Sequence, residues 1–102
     1  MNAARDSVAM APRVTVLVPA ALRAHCAGAR ELDVHATTVR AALAAVGDRH
    51  PEFVQYVLAR DGTLRPFVNV FLHAGNVRDL DGLDTRLADG DKLMIVPSVA
   101  GG

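Results

Sequence analysis

Ala88-Asp89-Gly90-Asp91-Lys92-Leu93-Met94-Ile95-Val96-Pro97-Ser98-Val99-Ala100-Gly101-Gly102 is the stretch on which the reading of this sequence turns. Asp89-Gly90 is a tight-turn signal. Lys92 to Val96 reads as a strand, the last in the chain. Pro97 has no N–H to give a ladder, so the sheet is expected to stop near it. The residues after Pro97 can extend, reaching roughly 15–18 Å from the domain at about 3.3–3.6 Å per residue. Glycine has no Cβ, so a backbone ending in Gly101-Gly102 can enter a slot that other residues would block.

A terminal carboxylate is ionised at neutral pH, with a pKa of about 3.3–3.7, and is a poor acyl donor. Adenylation by ATP replaces its oxyanion with a good leaving group. A sulfur nucleophile can then displace AMP and leave a thiocarboxylate. The chain has no G-x-x-x-x-G-K-[ST] loop to hold the nucleotide, so a partner must supply that site. Taken alone, the same residues also read as an inert frayed end.

Working upstream, Leu80, Leu83 and Leu87 suggest a short helical or 3₁₀ turn, and Ala74-Gly75-Asn76 a reverse turn. Pro66 to His73 reads as a strand with Val68, Val70 and Leu72 on one face and Phe67, Asn69 and Phe71 on the other. Pro51 can open a short helix carrying Phe53, Val54, Val57 and Leu58, broken by Asp61-Gly62. The clearest helix begins after a Thr37 or Thr38 N-cap. It carries Val39, Ala42, Leu43 and Val46 at helical spacing, with Gly47 as its C′ residue. Glu31 to Ala36 and Arg13 to Val18 alternate as strands, the second closed by Pro19. Met1 to Pro12 reads as a mobile extension, 13–97 as the domain and 98–102 as a flexible tail. Strands with one main helix imply an α+β fold, a sheet with the helix on one face. Val14, Val16, Val68, Val70, Leu93 and Ile95 form the expected core side of that sheet.

Composition narrows the function. The chain has 102 residues and is 51% hydrophobic, which suits one compact domain and not a disordered protein. Eleven basic residues balance eleven acidic ones, leaving no electrostatic footprint for nucleic acid or an anionic membrane. Lys92 is the single lysine. Cys26 is the single cysteine, so no intrachain disulfide and no cysteine-rich zinc site is expected. No segment reads as a signal peptide or membrane span, and a soluble cytoplasmic protein is expected.

Leu80 to Gly102, together with Arg65-Pro66-Phe67-Val68-Asn69-Val70-Phe71, resembles the C-terminal signature of the ubiquitin-like sulfur carriers. That family includes the small subunit of molybdopterin synthase, the thiamine-thiazole carrier and the cysteine-biosynthesis carrier of actinobacteria. The likeness covers about Arg13 to Gly102. It implies a β-grasp fold, a carrier and not an enzyme, and no bound cofactor. It also implies an E1-like adenylyltransferase that consumes ATP, with thiocarboxylation at Gly102 and Val99, Ala100 and Gly101 threading the partner's active site. The longer Asp48–Arg65 segment is more similar to the cysteine-biosynthesis carrier or a long molybdopterin-type protein. The acceptor implied is then a pyridoxal-phosphate-dependent, cysteine-synthase-like enzyme, with a metallopeptidase releasing the cysteinyl adduct. Molybdopterin synthase, a thiosugar enzyme and attachment to target lysines are the alternatives.

Leu17, Phe67, Phe71, Met94 and Val96 fall on the sheet face opposite the core, where polar residues are the norm. Two readings stand: scattered apolar residues or a face covered by Pro51–Leu58, and a docking patch for the activating enzyme. The family resemblance implies the second. Asp79, Asp81, Asp84, Asp89 and Asp91 read as solvated turns. A calcium loop with Gly82 at its sixth position would run from Val77 to Ala88, neither of them a ligand, so calcium is rejected. His25, His35, His50 and His73 lack metal-ligand spacing. His25-Cys26, in an expected loop, lacks the orienting group of a nucleophilic pair, and Cys26 is expected to be partly buried.

Overall fold

The structure is a computed structural model and describes residues 11–98. Five strands form one mixed sheet: β1 (Arg13–Leu17), β2 (Glu31–His35), β3 (Val68–Leu72), β4 (Gly75–Asn76) and β5 (Lys92–Pro97), in the order β2-β1-β5-β3-β4. β1 and β5 run parallel; every other pairing is antiparallel. Helices α1 (Val39–Arg49) and α2 (Pro51–Val57) lie over one face. This is the expected β-grasp arrangement.

Alternation decides which face is covered. Val14, Val16, Val68, Val70, Leu93 and Ile95 are at most 1% exposed, and they meet Val39, Ala42, Leu43 and Val46 of α1 and Phe53 and Val57 of α2. Period 2 on the strands and period 3.6 on the helix thus turn one apolar set toward the other. Thr38 is the N-cap: its hydroxyl accepts from Ala41 N–H at 3.1 Å.

The structure corrects several boundaries. Gly47 does not end α1, which runs on to Arg49, with His50 N–H bonding to Val46 O at 2.8 Å. Glycine is there for clearance: a Cβ at 47 would meet Val54 Cγ2 of α2 at 2.8 Å. The turn expected at 74–76 falls at His73-Ala74, where His73 takes φ 57, and Gly75–Asn76 pair back as β4. β3 begins at Val68 and not at Pro66, because Pro66 and Phe67 sit in a turn closed by Val68 N–H to Arg65 O at 3.0 Å. β5 passes through Pro97, which lies opposite Val68; the next donor, Ser98 N–H, bonds to Phe67 O at 2.6 Å. Proline removes one donor, and the ladder resumes at the next residue.

Ala20–Cys26, which includes the His25-Cys26 pair expected in a loop, is a 3₁₀ helix pegged to the core by Leu22 and Cys26 and ended by Ala27 and Gly28 at φ 54 and 81. Cys26 is fully buried, not partly. Of the expected extension, residues 1–10 lie outside the described residues, while Pro12 O accepts from Ala36 N–H at 2.9 Å. Of the expected tail, Val99, Ala100, Gly101 and Gly102 lie outside them.

Candidate functional site

The face opposite the helices divides into two halves. Leu17, Met94 and Phe71 stand in register across β1, β5 and β3, and Val96 lies one step further along β5, opposite Asn69. Met94 is 48% exposed; Leu17, Phe71 and Val96 are half-buried. Phe67, 45% exposed, stands apart from this row. It lies in the turn entering β3 and shares a shallow concavity with Gln55, Tyr56 and Arg65. The apolar half therefore sits at the end of β5 that leads to residue 99. The covering segment proposed from the sequence is elsewhere: α2 buries Phe53 and Val57 on the core side, against α1 and the Ala20–Cys26 helix.

The other half, toward the start of β1, is polar. Arg13 Nη2 lies 2.7 Å from Asp33 Oδ2, and Thr15 Oγ1 donates to Asp33 Oδ1 at 2.7 Å. These bonds, Arg13 first, hold the Asp33 carboxyl below the usual carboxylate range. Asp89 and Asp91 are more than solvated turn residues. Asp89 Oδ1 accepts from Arg13 N–H at 3.0 Å, Asp91 Oδ2 accepts from Ala88 N–H at 2.8 Å, and Gly90 N–H donates to Arg13 O at 2.8 Å. The turn launching β5 is thus fastened to β1. Asp84 faces Arg40 at 3.3 Å.

A groove of about 490 Å³ runs along the apolar half, its walls including Leu17, Pro19, Met94, Val96 and Pro97, with Arg23 as its one charged side chain among the described residues. Arg23 was missed because Ala20–Cys26 has no clear period. The available signal was Pro19 ahead of Leu22 and Cys26, four apart, with Gly28 as a stop.

Among the described residues intrinsic chemistry is sparse. His25 and Cys26 do not form a pair: His25 Nδ1 lies 3.0 Å from Glu52 Oε2 and its ring stacks on Tyr56 at 4.6 Å. Burial pushes the Cys26 thiol up, away from the nucleophilic thiolate. Among the described residues no group of three or more His, Cys, Asp or Glu side chains could hold a metal ion, and no helix is long and apolar enough to cross a membrane. The described residues present surface and not a reactive cluster.

The ThiS family matches residues 16–102. The sulfur carrier protein CysO of Mycobacterium tuberculosis is 33% identical over 91 residues, covering 87% of this chain and 98% of that protein. A chain in the crystal structure of the Amycolatopsis orientalis BexX/CysO complex superposes with a TM-score of 0.79 at 36% identity, covering 87% of this chain and 99% of that one. Small archaeal modifier protein 1 of Methanosarcina acetivorans gives 0.78 at 30% identity, covering 89% and 97%. The chain belongs to the ThiS family and is a β-grasp sulfur carrier protein, a carrier and not an enzyme.

Proposed function

We propose that Gly102 is the loading point of a cytoplasmic sulfur carrier for cysteine biosynthesis. An E1-like enzyme binds the apolar half-face of Leu17, Phe71, Met94 and Val96, with Phe67 at its margin, and Val99, Ala100 and Gly101 thread its active site. A carboxylate oxygen of Gly102 attacks the α-phosphorus of ATP, and pyrophosphate leaves. Sulfide then attacks the carboxyl carbon, the bond to AMP oxygen breaks, and a thiocarboxylate remains. The acceptor is a cysteine-synthase-like, pyridoxal-phosphate-dependent enzyme. The thiocarboxylate sulfur takes the place of the leaving group on the activated amino-acid substrate, and a metallopeptidase hydrolyses the acyl bond to Gly102, freeing cysteine and restoring the carboxylate. The observation that carries this reading is the placement of the exposed apolar patch beside the end of β5, the central strand leading to the glycines. Likeness over 87% of this chain to CysO, and to a carrier crystallised in complex with BexX, supports partner-dependent action.

Intact mass spectrometry after incubation with the E1-like enzyme, ATP and sulfide tests it. Replacement of one oxygen by sulfur, lost when Gly102 is deleted, is the expected result; no shift with an enzyme active on another carrier would overturn it. The loaded protein, mixed with the cysteine-synthase-like enzyme, should then yield the cysteinyl adduct. The likeness to a small archaeal modifier protein favours a second reading, attachment of Gly102 to target lysines. Lysine-linked conjugates that vanish on deletion of Gly102 would establish it.

A further inference from the structure

We propose that Arg23 is the residue through which the apolar groove selects its partner, by receiving a carboxylate from the surface of the activating enzyme. This rests on the reading of the half-face as the docking surface. Among the described residues Arg23 is the one charged side chain lining the groove, whose walls include Leu17, Pro19, Met94, Val96 and Pro97. It is half-buried, and its Nε donates to Val18 O at 3.1 Å, which sets the plane of the guanidinium. Its backbone is held by the buried neighbours Leu22 and Cys26. Among the described residues the Nη groups have no hydrogen-bond partner. The groove therefore offers a planar fork, already oriented, beside apolar surface and next to Pro97.

The charge defines the occupant. An enzyme that covers this groove with apolar side chains takes the Arg23 guanidinium out of water. A desolvated cation without an acceptor is strongly unfavourable, whereas a carboxylate accepting both Nη donors matches the fork. The segment that fits is an acidic residue flanked by apolar ones. A partner with a lysine or arginine there is rejected, so the same contact gives affinity and discrimination.

The experiment uses the full chain and the E1-like enzyme, with calorimetric Kd at low and high salt and KM and kcat for pyrophosphate release. Arg23→Glu is expected to raise Kd and KM by about 10- to 100-fold with kcat retained, as for a charge contact outside the reacting centre. Arg23→Met keeps the stem's packing without the charge. It should weaken binding and flatten its salt dependence, while the thermal midpoint falls by no more than about 4–8 °C, the loss of the single bond to Val18 O. Arg23→Lys should fall between. If Arg23→Met binds like the parent with the same salt dependence while Met94→Glu abolishes binding, the role of Arg23 is overturned and the docking face stands. If Met94→Glu also leaves binding unchanged, the docking face itself is overturned.

Discussion

Replacing Gly47 by alanine sets two effects of opposite sign against each other. Glycine in a helix is about 0.8–1.0 kcal/mol less favourable than alanine, so the change should stabilise α1 by up to that amount. Against this, the new methyl carbon would lie 2.8 Å from Val54 Cγ2, 3.4 Å from its Cβ and 3.7 Å from its Cγ1. Carbon pairs prefer about 3.5–4.0 Å, so the closest contact overlaps by roughly 0.7–1.2 Å. Val54 is β-branched and stiff at χ1, so rotation exchanges one methyl for the other while its Cβ stays close. Relief must come from moving α2 off α1, and Phe53 and Val57 hold α2 in the core. Overpacking costs about 1–3 kcal/mol, which exceeds the helix gain. Gly47→Ala is therefore expected to destabilise by about 1 kcal/mol, lowering the melting midpoint by about 4–8 °C in a domain of this size. Urea unfolding of the parent, Gly47→Ala, Val54→Ala and the double variant isolates the contact. A coupling of at least about 1 kcal/mol is expected, because the double variant keeps the propensity gain without the overlap. A single variant more stable than the parent, with no coupling to Val54, would refute the reasoning.

Three further outcomes follow from named contacts. Thr38→Ala removes the acceptor of Ala41 N–H and should cost about 0.5–2 kcal/mol in urea unfolding, with Thr38→Ser restoring most of it. Asp33 has a folded pKa below its ordinary 3.8, so its contribution to stability is complete above 3.8 and lost as pH falls through the lower folded value; Asp33→Asn should flatten that acid limb, read by thermal midpoints from pH 5 downward. Cys26 is fully buried with its thiol pKa raised, so a thiol reagent at neutral pH should label it no faster than the protein opens; rapid native-state labelling would contradict the burial.

The parts of the fold legible in the sequence are those where one periodicity acts without competition. β1 and β2 alternate cleanly, β5 is a short apolar run bounded by the Asp89-Gly90 turn and Pro97, and the Val39–Val46 face repeats at helical spacing. Gly47 misled because the same residue serves a helix end and a close helix crossing, and only the position of Val54 separates the two. The His73 turn was hidden for a related reason: Gly75 looks like the turn residue, but His73 takes the left-handed conformation and Gly75 pairs in β4. Phe67 shares the parity of Phe71, yet Pro66 places it in a turn. At the candidate site, the row of Leu17, Met94 and Phe71 was legible because strand parity fixes the face. Arg23 was not, since it comes from a short 3₁₀ helix whose position depends on where Leu22 and Cys26 find the core.

The parallel pairing of β1 with β5 at the centre of the sheet has a kinetic consequence. Residues 13–17 wait for residues 92–97, almost the full length of the described chain, before the middle of the sheet exists. Contacts of that sequence separation slow folding, because a long loop must close before any of them forms. A chain stopped short of β5 lacks its central strand, leaving β1 and β3 with unpaired inner edges and the core open between them. Completion of the sheet and display of Met94 and Val96 on its open face are therefore one event. A partner that recognises Met94 and Val96 meets them only on a molecule whose sheet has already closed, and a partly folded chain does not offer that surface.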